Sequence, residues 1–293
     1  MKKNQSFSVF YSIIFIFLAM YVAIFLFLFG WGFLNSFKGQ YDNGYGYYFD
    51  KISLPKIWHF TNYTDVLSKL EVEINAVKYN VPQMVFNTLL YTIGTAFVST
   101  LVPCVVAYLI ATYDKFIFSK IVYNFVIITM ILPIIGATPS TIQVLRFLHY
   151  YDSIVGMWLM NMNFLVGMHF LVFYDAFKGL SKTYKEAAEI DGASQFRTMV
   201  SVMFPLVKTI FITVFILRFI AYWNDYQTPL LYMPNNPTIS YGIFIFFFQS
   251  DNVYSTVPMK LAGAFVIAIP IIILFCFCQK RIMGNLTVGG IKE

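Results

Sequence analysis

Apolar residues gather into six long runs separated by shorter polar segments. They lie at about 9–34, 85–113, 121–149, 154–178, 206–232 and 258–281. A helix needs roughly 20 predominantly apolar residues to cross the hydrocarbon core of a bilayer. Each run is long enough, so the pattern predicts an all-α polytopic membrane protein with six transmembrane helices. Pro103, Pro133, Pro139 and Pro270 fall inside these runs, and a proline removes a helix hydrogen bond, so tilted or kinked spans are expected.

The polar segments predict an orientation, because Lys and Arg accumulate in cytoplasmic loops. With the N-terminus inside, the cytoplasmic side carries Lys2, Lys3, Lys115, Lys120, Lys178, Lys182, Lys185, Arg197 and Lys208, then Lys280, Arg281 and Lys292 in the tail. The segments at about 150–153 and 233–257 hold no Lys or Arg, and 35–84 balances five lysines against five acids. The expectation is a membrane protein with both termini cytoplasmic.

Composition agrees. The 293 residues are 59% hydrophobic and 12% charged, with mean hydropathy +0.68, whereas soluble domains carry about 25% charged residues. The 33 Phe and 21 Tyr suit walls facing lipid and ends lying among headgroups. A net charge of +6 is spread between apolar runs, so it gives no nucleic-acid surface. Cys104, Cys276 and Cys278 all sit in apolar runs and read as small apolar residues. The first run follows Lys2 and Lys3 but is too long for a secretory h-region and lacks a small-x-small cleavage site, so it reads as a retained helix.

The organisation expected is an N-terminal tail and first helix over 1–34, an extracellular loop over 35–84, a core transmembrane domain over 85–282, and a cytoplasmic tail over 283–293. The tip of the first loop, Gln40 to Tyr48, is turn-rich and aromatic. Its rings suit either an interfacial belt or stacking on sugars. Asn62 and Asn285 head short Asn-x-Thr sequons that carry little information.

The segment 181–205, between the fourth and fifth runs, reads as two short helices around a hinge. Thr183 with Glu186 three residues later forms a capping box for the first. Glu186, Glu189 and Asp191 make that helix acidic, and Gly192 takes the left-handed conformation that ends it. Ser194 caps the second helix, and Pro205 starts the return into the membrane. Ala187, Ala188 and Ala193 are small enough to let another surface approach this elbow closely.

The spacing Glu186-Ala187-Ala188, Gly192, Val202, Phe204, Pro205 resembles the signature cytoplasmic loop of ABC importer permeases. The resemblance extends from about Asn87 to Glu293 and narrows to the carbohydrate branch. Asn87 to Tyr91 with Ala107-Tyr108, Trp223-Asn224-Asp225 with Pro229-Leu230, Ile269-Pro270 and Gln279 to Arg281 are similar to that branch. The tail from Leu286 to Lys292 is similar to that of the smaller permease subunit of maltose-type importers. Asn285, Glu293 and the pair Leu180-Ser181 depart from the family pattern.

The resemblance implies that the loop forms coupling helices docking on an ATP-hydrolysing subunit, through Glu186, Ala187, Ala188, Asp191, Gly192, Ala193 and Pro205. It implies tail contacts through Thr287, Gly289, Gly290 and Lys292. The implied partners are a second homologous permease, two ATP-binding subunits, an extracellular solute-binding protein, an oligosaccharide substrate and the lipid bilayer, with no nucleic acid. The chain itself binds no cofactor or metal and is not an enzyme; ATP and Mg belong to the partner subunits. An importer for a non-sugar solute, or a membrane scaffold or channel that docks an ATPase, is the alternative.

Ionisable groups inside a span are costly and often functional. Arg218 and Asp225 lie seven residues apart, on one helix face but roughly 10 Å apart along the axis. With Trp223 and Asn224 they form either a polar stripe along a hydrated path or an interface network. Asp225, near the outer end, is also open to simple solvation. Asn161, Asn163 and His169 are polar among apolar neighbours and suit sugar hydroxyls or interhelical hydrogen bonds equally. The sequence contains no Gly-x-x-x-x-Gly-Lys-Ser/Thr loop, so the energy for transport is expected from a partner.

Overall fold

The computed structural model describes residues 9–39, 52–132, 136–163, 167–248 and 256–286. The aromatic loop tip from Gln40 to Tyr48 and the tail residues Thr287, Gly289, Gly290 and Lys292 lie outside the described residues. The chain forms two compact units, residues 1–70 with 245–269 and residues 71–244 with 270–293.

In the first unit, α1 (Val9–Ser36) is long enough to span, and its side chains from Ile13 to Phe29 are largely exposed. That surface is apolar throughout, as a lipid-facing helix requires. Its C-terminal end is tied down by α2 (Thr61–Lys69). Ser36 and Tyr63 share a 2.7 Å hydrogen bond, and the Asn62 amide donates to the carbonyls of Ser36 and Lys38 at 2.8 and 3.0 Å. Asn62, the head of a sequon, is thus committed to the fold. Phe265, on the first half of the long helix Val257–Leu286, meets Phe29 and Phe33 edge-on.

The second unit is organised around α3 (Val81–Thr112). Asn80 and Gln83 form a reciprocal capping box at its start, with Pro82 in the first turn, where a missing N–H costs nothing. One face of α3 carries small and hydroxylated residues, including Thr88, Thr92, Ala96, Ser99, Thr100 and Ala107, all buried. Helices in lipid gain little from the hydrophobic effect and associate by close packing, so small residues favour this approach. Below them Cys104 and Tyr108 pack with Phe170, Phe173 and Phe177 of α7 (Gly167–Lys178) and with Val207 and Val214 of α10 (Phe204–Asn224).

The expected architecture needs three corrections. The third run is two helices, α4 (Ile117–Ile131) and α5 (Thr138–Phe147). Leu132 turns extended, Gly136 takes a positive φ, and Pro139 falls in the first turn of α5, where a proline is tolerated. The fourth run is likewise α6 (Ile154–Met160) and α7, with Asn161 closing α6. Four helices among the described residues are long and apolar enough to span: Tyr11–Ser36, Val81–Thr112, Gln195–Asn224 and Val257–Gln279. Pro103 and Pro270 lie inside unbroken helices.

The third correction is to an entirely helical fold. Strands β1 (Val72–Ile74) and β2 (Val77–Tyr79) form an antiparallel hairpin. Asn75 and Ala76 both have positive φ, which a two-residue hairpin turn requires. The hairpin is pinned to a distant loop. Asn75 Nδ2 donates to Asn235 Oδ1, and the Tyr79 hydroxyl donates to the Asn235 carbonyl, at 2.8 and 2.7 Å. Asp152, between α5 and α6, accepts from the Asn235 backbone and amide at 2.9 and 2.6 Å.

Candidate functional site

The 181–205 segment forms the elbow that its sequence predicts. Helix α8 (Thr183–Ile190) ends at Asp191, and Gly192 follows with φ +75°. The Gly192 N–H donates to Glu189 and the Ala193 N–H to Ala188, at 3.1 and 2.9 Å. Those two bonds are a complete Schellman closure. Ser194 Oγ then accepts from the Arg197 N–H at 3.3 Å and caps α9 (Gln195–Thr198). A π-helical turn, Met199–Met203, leads into α10, with exposed Pro205 in its first turn.

The start of α8 differs from expectation. Lys182 occupies the N-cap position in helical conformation, and no side chain caps it. Thr183 lies inside the helix, so it forms no capping box with Glu186. Its backbone N–H instead reaches Ser181 Oγ at 3.4 Å, and the two hydroxyls share a 2.6 Å bond. The helix therefore starts without a side-chain cap, and the Thr183 hydroxyl is taken up by Ser181.

Ala188 packs inward, whereas Glu186, Ala187, Asp191 and Gly192 are exposed and Ala193 is half-buried. The outer surface also carries Ile190, 86% exposed, and Phe196, 71% exposed. A polar strut links the elbow to α3. Tyr113, at the end of α3, donates to Gln195 Oε1 at 3.1 Å, and Gln195 Nε2 donates to Glu189 Oε1 at 2.9 Å. Lys185 lies 3.6 Å from that carboxylate and 5.1 Å from the centre of the Tyr113 ring. Between this strut and the ends of α3 and α7 is a cavity of about 400 Å³, lined partly by Lys115, Lys178, Lys182 and Glu186. The sequence pattern marks the small and acidic residues of the elbow, whereas the strut and the exposure of Ile190 and Phe196 emerge only in the folded chain.

The polar residues of the membrane region separate into three environments. Asn161 Oδ1 accepts from the Tyr222 hydroxyl at 2.8 Å, and its amide donates to Met157. Tyr222 meets Tyr91 edge-on, and Tyr91 donates to Asp225 Oδ2 at 3.1 Å. Asp225 Oδ1 accepts from the Thr228 N–H at 3.0 Å, in the first turn of α11 (Gln227–Tyr232). Asn161 and Asp225 therefore belong to one cluster, bridged by two tyrosines. Trp223 is buried against Phe219, while Asn163 and Asn224 are exposed. Arg218 stands apart: its Nε and Nη2 are buried and have no hydrogen-bond partner among the described residues.

The probable starch degradation products transport system permease protein AmyC of Thermoanaerobacterium thermosulfurigenes is 25% identical over 89% of each chain. The arabinooligosaccharides transport system permease protein AraQ of Bacillus subtilis is 27% identical over 81% of this chain and 80% of its own. A crystal structure of a bacterial ABC transporter that imports the acidic polysaccharide alginate has the same fold. Its TM-score is 0.73 at 21% identity, covering 96% of this chain and 99% of that one. The profile of the binding-protein-dependent transport system inner membrane component matches residues 104–287, well over half of the chain. This chain, with its elbow and its apolar spans, belongs to that family of membrane transport components.

Proposed function

We propose that this chain is one permease subunit of an ATP-driven importer and forms half of a translocation path for an oligosaccharide. The observation that carries this reading is the elbow from Thr183 to Thr198. A Schellman turn and a serine cap hold two short helices at a fixed angle, and the outer side exposes Ile190 and Phe196 beside Glu186 and Asp191. Large apolar side chains exposed on a rigid loop favour a protein interface. Its partner is an ATP-hydrolysing subunit, which the elbow engages through Glu186, Ala187, Asp191, Gly192, Ala193 and Pro205, while Ala188, expected among these contacts, is buried and packs the elbow from inside. The sugar substrate is supported by the named relatives, whose transport systems handle starch degradation products and arabinooligosaccharides.

In this reading six spans cross the membrane, the third and fourth each broken in the middle, and both termini face the cytoplasm with the lysine-rich segments. A second permease completes the path, and a solute-binding protein delivers the sugar from outside. Two ATP-binding subunits hold ATP and Mg, and this chain holds no cofactor. Closure of the ATPase pair moves the elbow, and the strut through Glu189, Gln195 and Tyr113 conveys that motion to α3. The tail residues Thr287, Gly289, Gly290 and Lys292 supply a further ATPase contact. Asn161, Asn163, Trp223, Asn224 and Asp225 shape the outer part of the path.

The test is affinity purification of the chain from its native membrane, followed by an ATPase assay with oligosaccharides and binding protein. The expected result is recovery of a second permease and an ATPase, with hydrolysis stimulated by one loaded sugar. An ATPase indifferent to every sugar would remove the substrate assignment; no ATPase at all would remove the transport role.

A further inference from the structure

We propose that Arg218 recognises an acidic group on the transported sugar, a uronate carboxylate, so that the importer handles acidic oligosaccharides. This inference rests on the reading of the chain as one wall of a sugar path.

Arg218 lies within α10, six residues before its last residue, Asn224. At 1.5 Å per residue that is about 9 Å inside the helix end. Its helix face is shared by Phe211, two turns before it, and Tyr222, one turn after it. Phe211 meets Phe97 of α3 and Phe173 of α7, and Tyr222 meets Tyr91 of α3. The guanidinium therefore belongs to the face of α10 directed at α3 and α7.

A guanidinium withdrawn from water needs an anion or several acceptors. The surrounding elements offer little. Helices α3, α6 and α10 contain no Asp or Glu. On α7 the single acid, Asp175, is exposed near the helix end, and the ionisable side chain of α7 that interacts with Arg218 is the imidazole of His169, which supplies no negative charge. Asp225, two turns further along the chain, is already engaged by Tyr91 and Thr228.

The identity of the free atoms narrows the ligand. Nε and Nη2 are the two nitrogens along one side of the guanidinium plane, and their N–H bonds run parallel. That edge accepts a carboxylate in bidentate fashion, two oxygens against two donors. Two neighbouring hydroxyls of a neutral sugar can also meet that edge, but only a carboxylate brings the opposite charge as well. The rest of the side chain is not fully buried, so rotation about its flexible stem presents the edge to a solute passing along the helix. Tyr222, one turn away, offers a ring face and a hydroxyl oxygen beside it. The observed position, with the fork shielded and without a hydrogen-bond partner among the described residues, is the resting state that an arriving carboxylate relieves.

The experiment uses the complete importer in proteoliposomes with its binding protein. Uptake is measured for a panel of neutral oligosaccharides and of oligogalacturonides and oligoalginates of matched length. At least one uronate-bearing member is taken up, and Arg218→Gln weakens its apparent affinity about tenfold or more, the loss expected for a charge-assisted bidentate contact. Arg218→Lys recovers part of the loss, and copurification with the second permease is unchanged. Uptake of neutral members with every uronate refused overturns the inference and leaves the sugar importer standing. Uronate uptake indifferent to Arg218→Gln overturns it as well. So does loss of the second permease from the Arg218→Gln complex, because the guanidinium then pairs with an acid of that subunit. Refusal of every oligosaccharide removes the sugar reading and this inference together.

Discussion

Replacing Gly192 with alanine isolates the elbow's geometry from its surface chemistry. The residue has φ +75°, and a Cβ built there meets nothing within 4 Å. The substitution therefore creates no clash, and its whole effect is the cost of holding an L-residue in the left-handed region, about 1–2 kcal/mol. That cost falls on the closed turn and shifts its population roughly 5- to 30-fold towards open forms. The direct assay is amide hydrogen exchange at residues 192 and 193, whose N–H groups close the turn on Glu189 and Ala188. Their exchange should accelerate by that factor while the amides of α3 stay unchanged. Asparagine tolerates the left-handed region better than alanine, so Gly192→Asn should fall between wild type and Gly192→Ala. In the assembled transporter, the ratio of solute moved to ATP hydrolysed should decline in the same order. Equal exchange rates and coupling ratios in all three proteins would refute the claim that this turn sets the elbow angle.

Other perturbations test the supports around the elbow and the path. Asp152→Ala removes the acceptor that holds Asn235 and should cost about 1.5–3 kcal/mol, the range for hydrogen bonds to charged groups; an unchanged thermal midpoint in detergent would contradict the clasp. A Cβ at Gly94 would overlap the Trp158 ring, whose indole N–H donates to the Leu90 carbonyl at 3.1 Å. Gly94→Val should therefore destabilise the protein by about 1–3 kcal/mol, visible as lower yield of folded protein and a lower midpoint. Glu189 and Gln195 lie on the exposed side of the strut, so a double-mutant cycle of their alanine variants should give a coupling of only about 0.2–1 kcal/mol. A value near 3 kcal/mol would mean that the strut is not solvent-screened.

The features most legible in the sequence were those set by neighbouring residues. The first, second and sixth spans are continuous apolar runs, and each appears as a long helix. Gly192 and Ser194 were readable because a left-handed stop and a serine cap each act within three residues. The same local reasoning failed at Thr183, since Ser181 two positions earlier supplies the competing hydroxyl. Hydropathy alone joined α4 to α5 and α6 to α7, because it registers apolar character and not backbone geometry. Gly136 and Pro139 carried the signal for the first of those breaks. The rest depended on residues far apart in the chain. Asp152 and Asn235 are 83 positions apart, and Tyr91 and Asp225 are 134 apart. No periodicity connects such pairs, so nothing local in the sequence marks Tyr91 and Tyr222 as the bridge from Asn161 to Asp225.

The most direct measurement places a benzophenone photo-crosslinking side chain at Ile190 or Phe196 in the intact importer, with a control at Phe147, which is 82% exposed on a helix outside the elbow. Irradiation should join the ATPase subunit to positions 190 and 196 and leave 147 unlinked. An ATPase crosslink from 147 equal to those from 190 and 196, or no ATPase crosslink from either elbow position, would contradict the assignment of this elbow as the docking surface.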